Sequence, residues 1–132
     1  MAKYNSNHYN VADRILFLKG SLLEPVEPSV DLLIANLPYV LSQKLSDLRP
    51  EIKYYEPKIA LDGGPDGLGM ISELLHKAQE KLHHNGCLIL EIGENQEQQI
   101  MSAINRYLKN ATFDILKDYS GLPRIAKIDL HS

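Results

Sequence analysis

The chain has 132 residues, which is enough for one domain and too few for two. It is 44% hydrophobic and 23% charged with a net charge of −3, which is typical of a soluble globular protein and provides no basic field to attract nucleic acid. The single cysteine, Cys87, excludes an internal disulfide, and no apolar run approaches the ~20 residues of a membrane helix. We therefore expect a cytoplasmic protein without a membrane or nucleic-acid partner, and the polar N-terminus shows no signal peptide.

Two apolar runs in the first third of the chain predict β-strands, over residues 14–20 and 30–36. The second run is almost uninterrupted, which is typical of a strand covered on both faces in a parallel sheet. Residues 21–29 contain two prolines and are predicted to connect the strands. Residues 37–66 are predicted to form a long loop with a short helix near 42–48, and loops of this length are usually functional or disordered.

The second half of the chain alternates between helical and strand patterns. The predicted elements are a helix over 67–83 capped by Asp66, a strand over 87–93, a helix over 96–109 capped by Asn95, and two strands over 112–118 and 123–130. This order predicts an α/β fold with a mostly parallel sheet and a C-terminal antiparallel hairpin. Ligands of open α/β sheets bind beyond the carboxyl ends of the strands, where Asn36 and Gly93 lie.

The apolar run of the second strand ends in Asn36-Leu37-Pro38-Tyr39. A turn with an incidental tyrosine explains these four residues alone equally well. The functional interpretation is a site for a planar NH₂ group, which is a poor nucleophile because its lone pair is delocalised. An Asn side-chain oxygen and a nearby backbone carbonyl can each accept one of its hydrogens, and a Tyr ring can stack on the flat group.

This motif resembles the (Asn/Asp)-Pro-Pro-(Tyr/Phe/Trp) motif of AdoMet-dependent amino-methyltransferases. Three later blocks narrow the resemblance, namely "YEPKIALDGGPDGLGM" (55–70), "GCLILEIGENQ" (86–96) and "KDYSGLPRIAKI" (117–128). From about residue 10 to the end, the chain is similar to the HemK-like glutamine N5-methyltransferases that modify peptide chain release factors. The resemblance implies a partial Rossmann-like class I methyltransferase fold and a release factor, bound through its Gly-Gly-Gln loop, as the substrate protein.

The resemblance also implies roles for the motif residues. Asn36 would accept hydrogen bonds from the substrate glutamine amide, Pro38 would supply the carbonyl side of this clamp, and Tyr39 would form a wall of the methyl-transfer pocket. Leu37 belongs to the same substrate-binding stretch, but it stands where the family has the first proline of its motif.

Further residues are implied to shape the peptide groove or to contact the cofactor. Glu56 and Pro57 would belong to the loop that forms the peptide groove. Ser21, Leu22 and Asn36 would contact S-adenosyl-L-methionine, although Ser21 stands where the family has an acidic residue near the adenine. The family's glycine-rich cofactor loop has no counterpart in this sequence, so binding of the cofactor by this chain alone is expected to be weak or absent.

The chain, over 1–132, is therefore predicted to be the C-terminal part of a methyltransferase catalytic domain. One alternative is an rRNA or DNA adenine N6-methyltransferase-like protein, since the adenine enzymes that act on ribosomal RNA also use Asn-Leu-Pro-Tyr. Another is a non-catalytic remnant or a subunit of a split enzyme. In the family the strand over 30–36 has a neighbour that this chain lacks, so we expect a symmetric homodimer or a complementing N-terminal half to cover its edge.

Two expectations concern the geometry of the site. Asn36 and Tyr39 are predicted to lie at the carboxyl end of a central strand and to face a cleft shared with Gly93. Glu91 lies among apolar residues, and its carboxylate is either a functional group of this pocket or bound to a neighbouring backbone N–H.

Overall fold

The structure is a computed structural model that describes residues 1–27 and 29–131. Pro28, one of the two prolines of the predicted connection, lies outside the described residues. The helices are α1 (Ala2–His8), α2 (Pro50–Lys53), α3 (Gly69–Lys81) and α4 (Glu97–Tyr107), with 3-10 turns at Ala12–Arg14, Ser42–Asp47 and Lys58–Ala60. The strands are β1 (Val30–Ala35), β2 (Leu82–Glu91), β3 (Ala111–Lys117) and β4 (Pro123–Leu130).

The four strands form one mixed sheet in the order β1-β2-β4-β3. The β1–β2 pair is parallel, whereas the β2–β4 and β3–β4 pairs are antiparallel. The α/β architecture and the C-terminal hairpin agree with the expectation from the sequence, but the expected mostly parallel sheet was wrong. The short connection after β3 returns the chain beside it, and β4 then lies between β2 and β3, where it runs against both.

The predicted strand over 14–20 was also wrong. The chain forms a 3-10 turn at Ala12–Arg14 and then continues through residues 15–19 without a ladder of hydrogen bonds. The composition of this segment suits a strand, but a strand needs a neighbour, and within the described residues none pairs with it. Residues 84–86, which separate the predicted helix over 67–83 from the predicted strand over 87–93, lie instead inside β2, where Asn85 has a φ of 64° and the register with β1 shifts.

One face of the sheet packs against α3 and α4. Neighbouring strands place Leu88 beside Ile128 and Leu90 beside Ala126, and all four side chains are fully buried. The two helices contribute their apolar sides to the same core, as the hydrophobic periodicity predicts. The buried helix residues are Ile71, Leu74, Leu75 and Ala78 of α3 and Ile100, Ala103 and Ile104 of α4.

The opposite face of the sheet is open, and its character changes from β1 to β3. Two rows of paired residues cross this face. They are Leu32, Cys87, Asp129 and Thr112 in the first row and Ile34, Ile89, Lys127 and Asp114 in the second. The face is therefore apolar near β1 and β2 and charged near β4 and β3. Leu32 and Ile34 are 49% and 73% exposed.

β1 lies at an edge of the described sheet, so the expected central position of this strand was wrong. Its carboxyl end nevertheless opens into the loop that carries the motif residues. In the described part of the chain, no helix is both long enough and apolar enough to span a membrane.

Candidate functional site

Five of the predicted site residues line one cleft of about 470 Å³ beyond the carboxyl end of β1. These residues are Asn36, Leu37, Pro38, Tyr39 and Glu56. Glu91 and a set of apolar side chains complete the walls. The apolar residues are Val40, Leu48, Ile52, Ala60 and Leu61. The cleft therefore combines an apolar lining with one amide and two carboxylates.

The remaining predicted site residues lie outside the lining of this cleft. Pro57 follows Glu56 and begins the 3-10 turn at Lys58–Ala60, where its carbonyl accepts a hydrogen bond from Ala60 at 2.8 Å. Ser21 and Leu22 lie in a turn before β1, and the Ser21 carbonyl accepts from the Glu24 backbone N–H at 3.0 Å. Leu22 has a φ of 47° and Ser21 is exposed.

A short parallel bridge closes the long loop after β1. The Val40 N–H donates to the Leu61 carbonyl at 3.0 Å, and the Gly63 N–H donates to the Val40 carbonyl at 2.8 Å. The Asp62 carboxylate accepts from the Ser42 hydroxyl at 2.6 Å and from the Gly64 N–H at 3.0 Å. These hydrogen bonds lower the pKa of Asp62, the Ser42 hydroxyl most of all. The closed loop brings Glu56 to the same cleft as Asn36.

The side-chain amide of Gln96 connects three segments around the site. Its Nε2 donates to the Tyr39 carbonyl at 3.3 Å and to the Gly67 carbonyl at 3.1 Å, and its Oε1 accepts from the Gly93 N–H at 2.9 Å. Gln96 is only 7% exposed. The amide therefore uses both donor hydrogens and its acceptor inside the protein.

Glycine is required where these segments approach each other most closely. A Cβ at Gly67 would lie 2.5 Å from the Tyr39 carbonyl oxygen, and the φ of Gly67 is 74°. A Cβ at Gly63 would lie 2.8 Å from the Pro38 carbonyl oxygen, and one at Gly93 would lie 2.9 Å from Oε1 of Gln96. The missing side chains leave room for the motif segment and for the Gln96 amide.

Tyr39 is oriented by a second hydrogen bond across the site. Its hydroxyl donates to Oε1 of Glu91 at 3.1 Å. Burial raises the pKa of the Tyr39 phenol, the Glu91 carboxylate raises it further, and Arg124 opposes the shift. The phenol is thus held protonated as a donor. The sequence left two interpretations of Glu91, a functional group of the pocket or a partner of a backbone N–H. Its carboxylate accepts from the hydroxyl of Tyr39, a side chain that lines the same cleft.

The side chain of Asn36 is accessible at the end of β1. Its residue is exposed, and within residues 1–27 and 29–131 its side-chain amide has no hydrogen-bond partner. Asn36 and Tyr39 face a common cleft as expected, but the expectation that Gly93 shares this cleft was wrong. Gly93 lies next to the Tyr39 ring outside the lining, and a Cβ added at this position would be 3.3 Å from a ring carbon.

Sequence reasoning missed Gln96, although Gly93-x-x-Gln96 contains a usable signal. Asn95 was predicted to cap α4, but Gln96 is the residue that precedes the helix, and its side chain turns back to the Gly93 N–H. A glutamine three residues after a glycine that follows a strand can make this local bond. The bonds to Tyr39 and Gly67 join distant segments and have no signature in a single sequence.

The fold is that of a methyltransferase-type α/β domain. The structure superposes on the ribosomal protein L11 methylase from Lactobacillus delbrueckii subsp. bulgaricus with a TM-score of 0.64, at 20% identity, over 99% of this chain and 51% of that one. At this identity the similarity concerns the fold alone. No protein-family model matches the chain.

Curated sequences give a closer relationship. The chain is homologous to the release factor glutamine methyltransferases of Thermodesulfovibrio yellowstonii (34% identity over 122 residues, 88% of this chain and 42% of that protein) and Thermosynechococcus vestitus (32% over 127 residues, 94% and 44%). The resemblance stated from the motifs is thereby confirmed. The chain spans less than half the length of these relatives.

The first testable consequence concerns Gln96. Replacing Gln96 by Leu keeps the bulk but leaves the Gly93 N–H and the carbonyls of Tyr39 and Gly67 without a partner. We expect Gln96→Leu to lower the free energy of unfolding by about 2–4 kcal/mol, because buried unsatisfied backbone groups cost about 1–3 kcal/mol each. Chemical denaturation measures this, and Gln98→Leu on the exposed side of α4 should stay within ~0.5 kcal/mol of wild type. Equal losses in the two variants would contradict the assigned role.

The second consequence is an alkaline pH dependence. Because the folded-state pKa of Tyr39 is raised, the folded protein retains this proton more tightly than the unfolded chain. The stabilisation that protonated Tyr39 gives to the folded state is complete below the unfolded pKa of ~10. It is lost as the pH rises through the higher pKa of the folded state. Denaturation at successive pH values should show a steeper alkaline loss of stability in wild type than in Tyr39→Phe. The other tyrosines titrate in both proteins, and parallel curves would rule out the Tyr39–Glu91 contact.

Proposed function

We propose that this chain is the amide-binding part of a protein-glutamine methyltransferase that acts on a peptide chain release factor. The observation that carries the proposal is the cleft at the end of β1, where Asn36, Tyr39 and Glu56 meet in a chain homologous to release factor glutamine methyltransferases. An unpaired Asn amide beside an oriented aromatic ring is suited to a planar NH₂ group.

In this proposal Asn36 and Pro38 orient the substrate nitrogen. The side-chain oxygen of Asn36 accepts one amide hydrogen and the Pro38 carbonyl accepts the other. Gly63 packs against this carbonyl, and a side chain at this position would come within 2.8 Å of the Pro38 oxygen and displace the motif segment. Two acceptors aimed at one NH₂ group fix its plane and favour the positive charge that develops on the nitrogen during methyl transfer.

The other cleft residues select and position the substrate side chain. Tyr39 offers its ring as a flat wall while Glu91 holds the hydroxyl end. Leu37 contributes apolar surface to the same wall. Glu56 and Pro57 lie on the loop at the opposite side, where they would contact the backbone of the Gly-Gly-Gln loop. The substrate that we propose for this cleft is an extended peptide with a glutamine at its tip.

The described residues do not by themselves fit S-adenosyl-L-methionine. Close backbone approach to a nucleotide needs glycines that are open to the ligand. Around this site the space beside Gly63, Gly67 and Gly93 is instead occupied by atoms of Tyr39, Pro38 and Gln96. We therefore propose that the cofactor is bound chiefly by the part of a methyltransferase domain that these residues do not cover, which supplies the glycine-rich loop, with Ser21, Leu22 and Asn36 as contacts from this chain.

The cofactor proposal predicts that the isolated chain binds S-adenosyl-L-methionine poorly. Each missing hydrogen bond removes ~1 kcal/mol, or about fivefold in affinity, so the loss of several shifts the dissociation constant by orders of magnitude. Isothermal titration calorimetry should give no saturable heat at micromolar cofactor, whereas the full-length relative from Thermodesulfovibrio yellowstonii serves as the positive control. Saturation of the isolated chain at micromolar cofactor would overturn this assignment.

The amide-binding role is tested in a complemented reaction. The chain is mixed with three components. They are the segment of a full-length relative that does not align with this chain, labelled S-adenosyl-L-methionine and a Gly-Gly-Gln peptide. We expect methyl incorporation, and we expect Asn36→Ala to lower kcat/KM by about 100-fold or more, because removal of one such hydrogen-bond partner costs about 10²–10³ in rate. Asn105→Ala, on the exposed side of α4, should react as wild type.

Two outcomes of this reaction would contradict the proposal. One is an Asn36→Ala variant with the activity of the Asn105→Ala control. The other is incorporation of methyl groups into an RNA oligonucleotide in place of the peptide, which would favour the adenine-directed alternative.

A further inference from the structure

A second pocket, of about 230 Å³, lies on the loop that follows β1, and we call it the flanking pocket. Its apolar lining consists of Leu45, Leu48 and Leu61, which are all half-buried. Glu56 and Lys58 also belong to its walls. Pockets that enclose a whole small molecule usually measure about 300–1,000 Å³, so this smaller space is suited to a single side chain.

The flanking pocket shares a wall with the cleft at the carboxyl end of β1. Leu48, Glu56 and Leu61 line both spaces, whereas Asn36 and Tyr39 line the cleft alone. One layer of side chains therefore separates the site proposed for the substrate glutamine from the apolar flanking pocket. A ligand that crosses this layer can fill both spaces at once.

The polar residues of the flanking pocket differ in what they are bound to. Nζ of Lys53 donates to the Ser46 carbonyl at 2.9 Å, which joins α2 to the 3-10 turn at Ser42–Asp47. The side chains of Glu56 and Lys58 are exposed, and neither has a hydrogen bond or an ion pair within residues 1–27 and 29–131. One acceptor and one donor in the walls are therefore available to a ligand.

We propose that the flanking pocket binds the apolar side chain of the second residue after the methylated glutamine in the substrate polypeptide. This inference rests on the proposed function, which places the glutamine in the cleft. Side chains two positions apart in an extended chain point to the same side at a spacing of ~6.7 Å, so two adjacent pockets can take them together. The two glycines before the glutamine have no side chain to insert, and the occupant therefore comes from the residues that follow it.

The chemistry of the walls matches this occupant. Each residue of a peptide presents one backbone N–H and one carbonyl, which the Glu56 carboxylate and the Lys58 ammonium group complement. These two contacts hold any extended peptide and carry no sequence preference. The preference comes from Leu45, Leu48 and Leu61, because a charged side chain would lose its hydration against them, whereas an apolar one is stabilised by burial.

Peptide titration followed by NMR tests the flanking pocket without requiring turnover. Gly-Gly-Gln-Ser-Leu, Gly-Gly-Gln-Leu-Ser and Gly-Gly-Gln-Ser-Ser are added to the full chain with labelled leucine methyl groups and side-chain amides. We expect all three peptides to shift the Asn36 amide signal. Only Gly-Gly-Gln-Ser-Leu should shift the Leu45 methyl signals, and it should bind about tenfold more tightly than the other two. Equal affinities with a shifted Asn36 signal would overturn this inference alone, whereas an unshifted Asn36 signal would overturn the proposed function as well.

Variants that change the size of the flanking pocket provide the second test. Leu45→Phe should fill it and remove the tenfold preference while Gly-Gly-Gln-Ser-Ser binds as to wild type, and Leu45→Ala should change the preferred last residue of the peptide from Leu to Phe. A changed size preference cannot result from misfolding. Leu116→Ala, at an exposed leucine of β3, should bind all peptides as wild type. The inference is wrong if both Leu45 variants keep the wild-type preference, or if adding the segment of a relative that does not align with this chain abolishes the Leu45 shift.

Discussion

The arrangement of the site depends on one buried amide, the side chain of Gln96. It binds the segment after β1 through the Tyr39 carbonyl, the segment before α3 through the Gly67 carbonyl, and the segment after β2 through the Gly93 N–H. A carboxylate in its place would lack the donors, and an ammonium group would lack the acceptor. The planar amide thus sets the relative positions of three loops with one side chain, which is why glycines are needed beside it.

The contrast between the unpaired side chain of Asn36 and the hydrogen-bonded Tyr39 bears on the ligand that we propose for the cleft. Asn36 is exposed and unpaired, while the neighbouring Tyr39 is fixed at both its carbonyl and its hydroxyl. Glu56 and Glu91 add further acceptors, so the lining offers oxygen atoms to a ligand that donates hydrogens. The two carboxylates of such a lining would repel a carboxylate ligand, which agrees with the amide NH₂ group that we propose as the substrate. In the proposed function, selectivity for an amide would follow from Tyr39, held at its carbonyl and its hydroxyl, beside the exposed side chain of Asn36.

The sequence was informative wherever a signal was local. Apolar runs and helical periodicity predicted β1–β4, α3 and α4 to within a few residues at most boundaries, and the motif at the end of β1 located the cleft. The segment 14–20 misled because strand composition says nothing about whether a neighbour is present. The mixed sheet was missed because β4 takes its place beside β2 through a long-range pairing. Gln96 was missed for the same reason, since two of its three bonds join residues far apart in the chain.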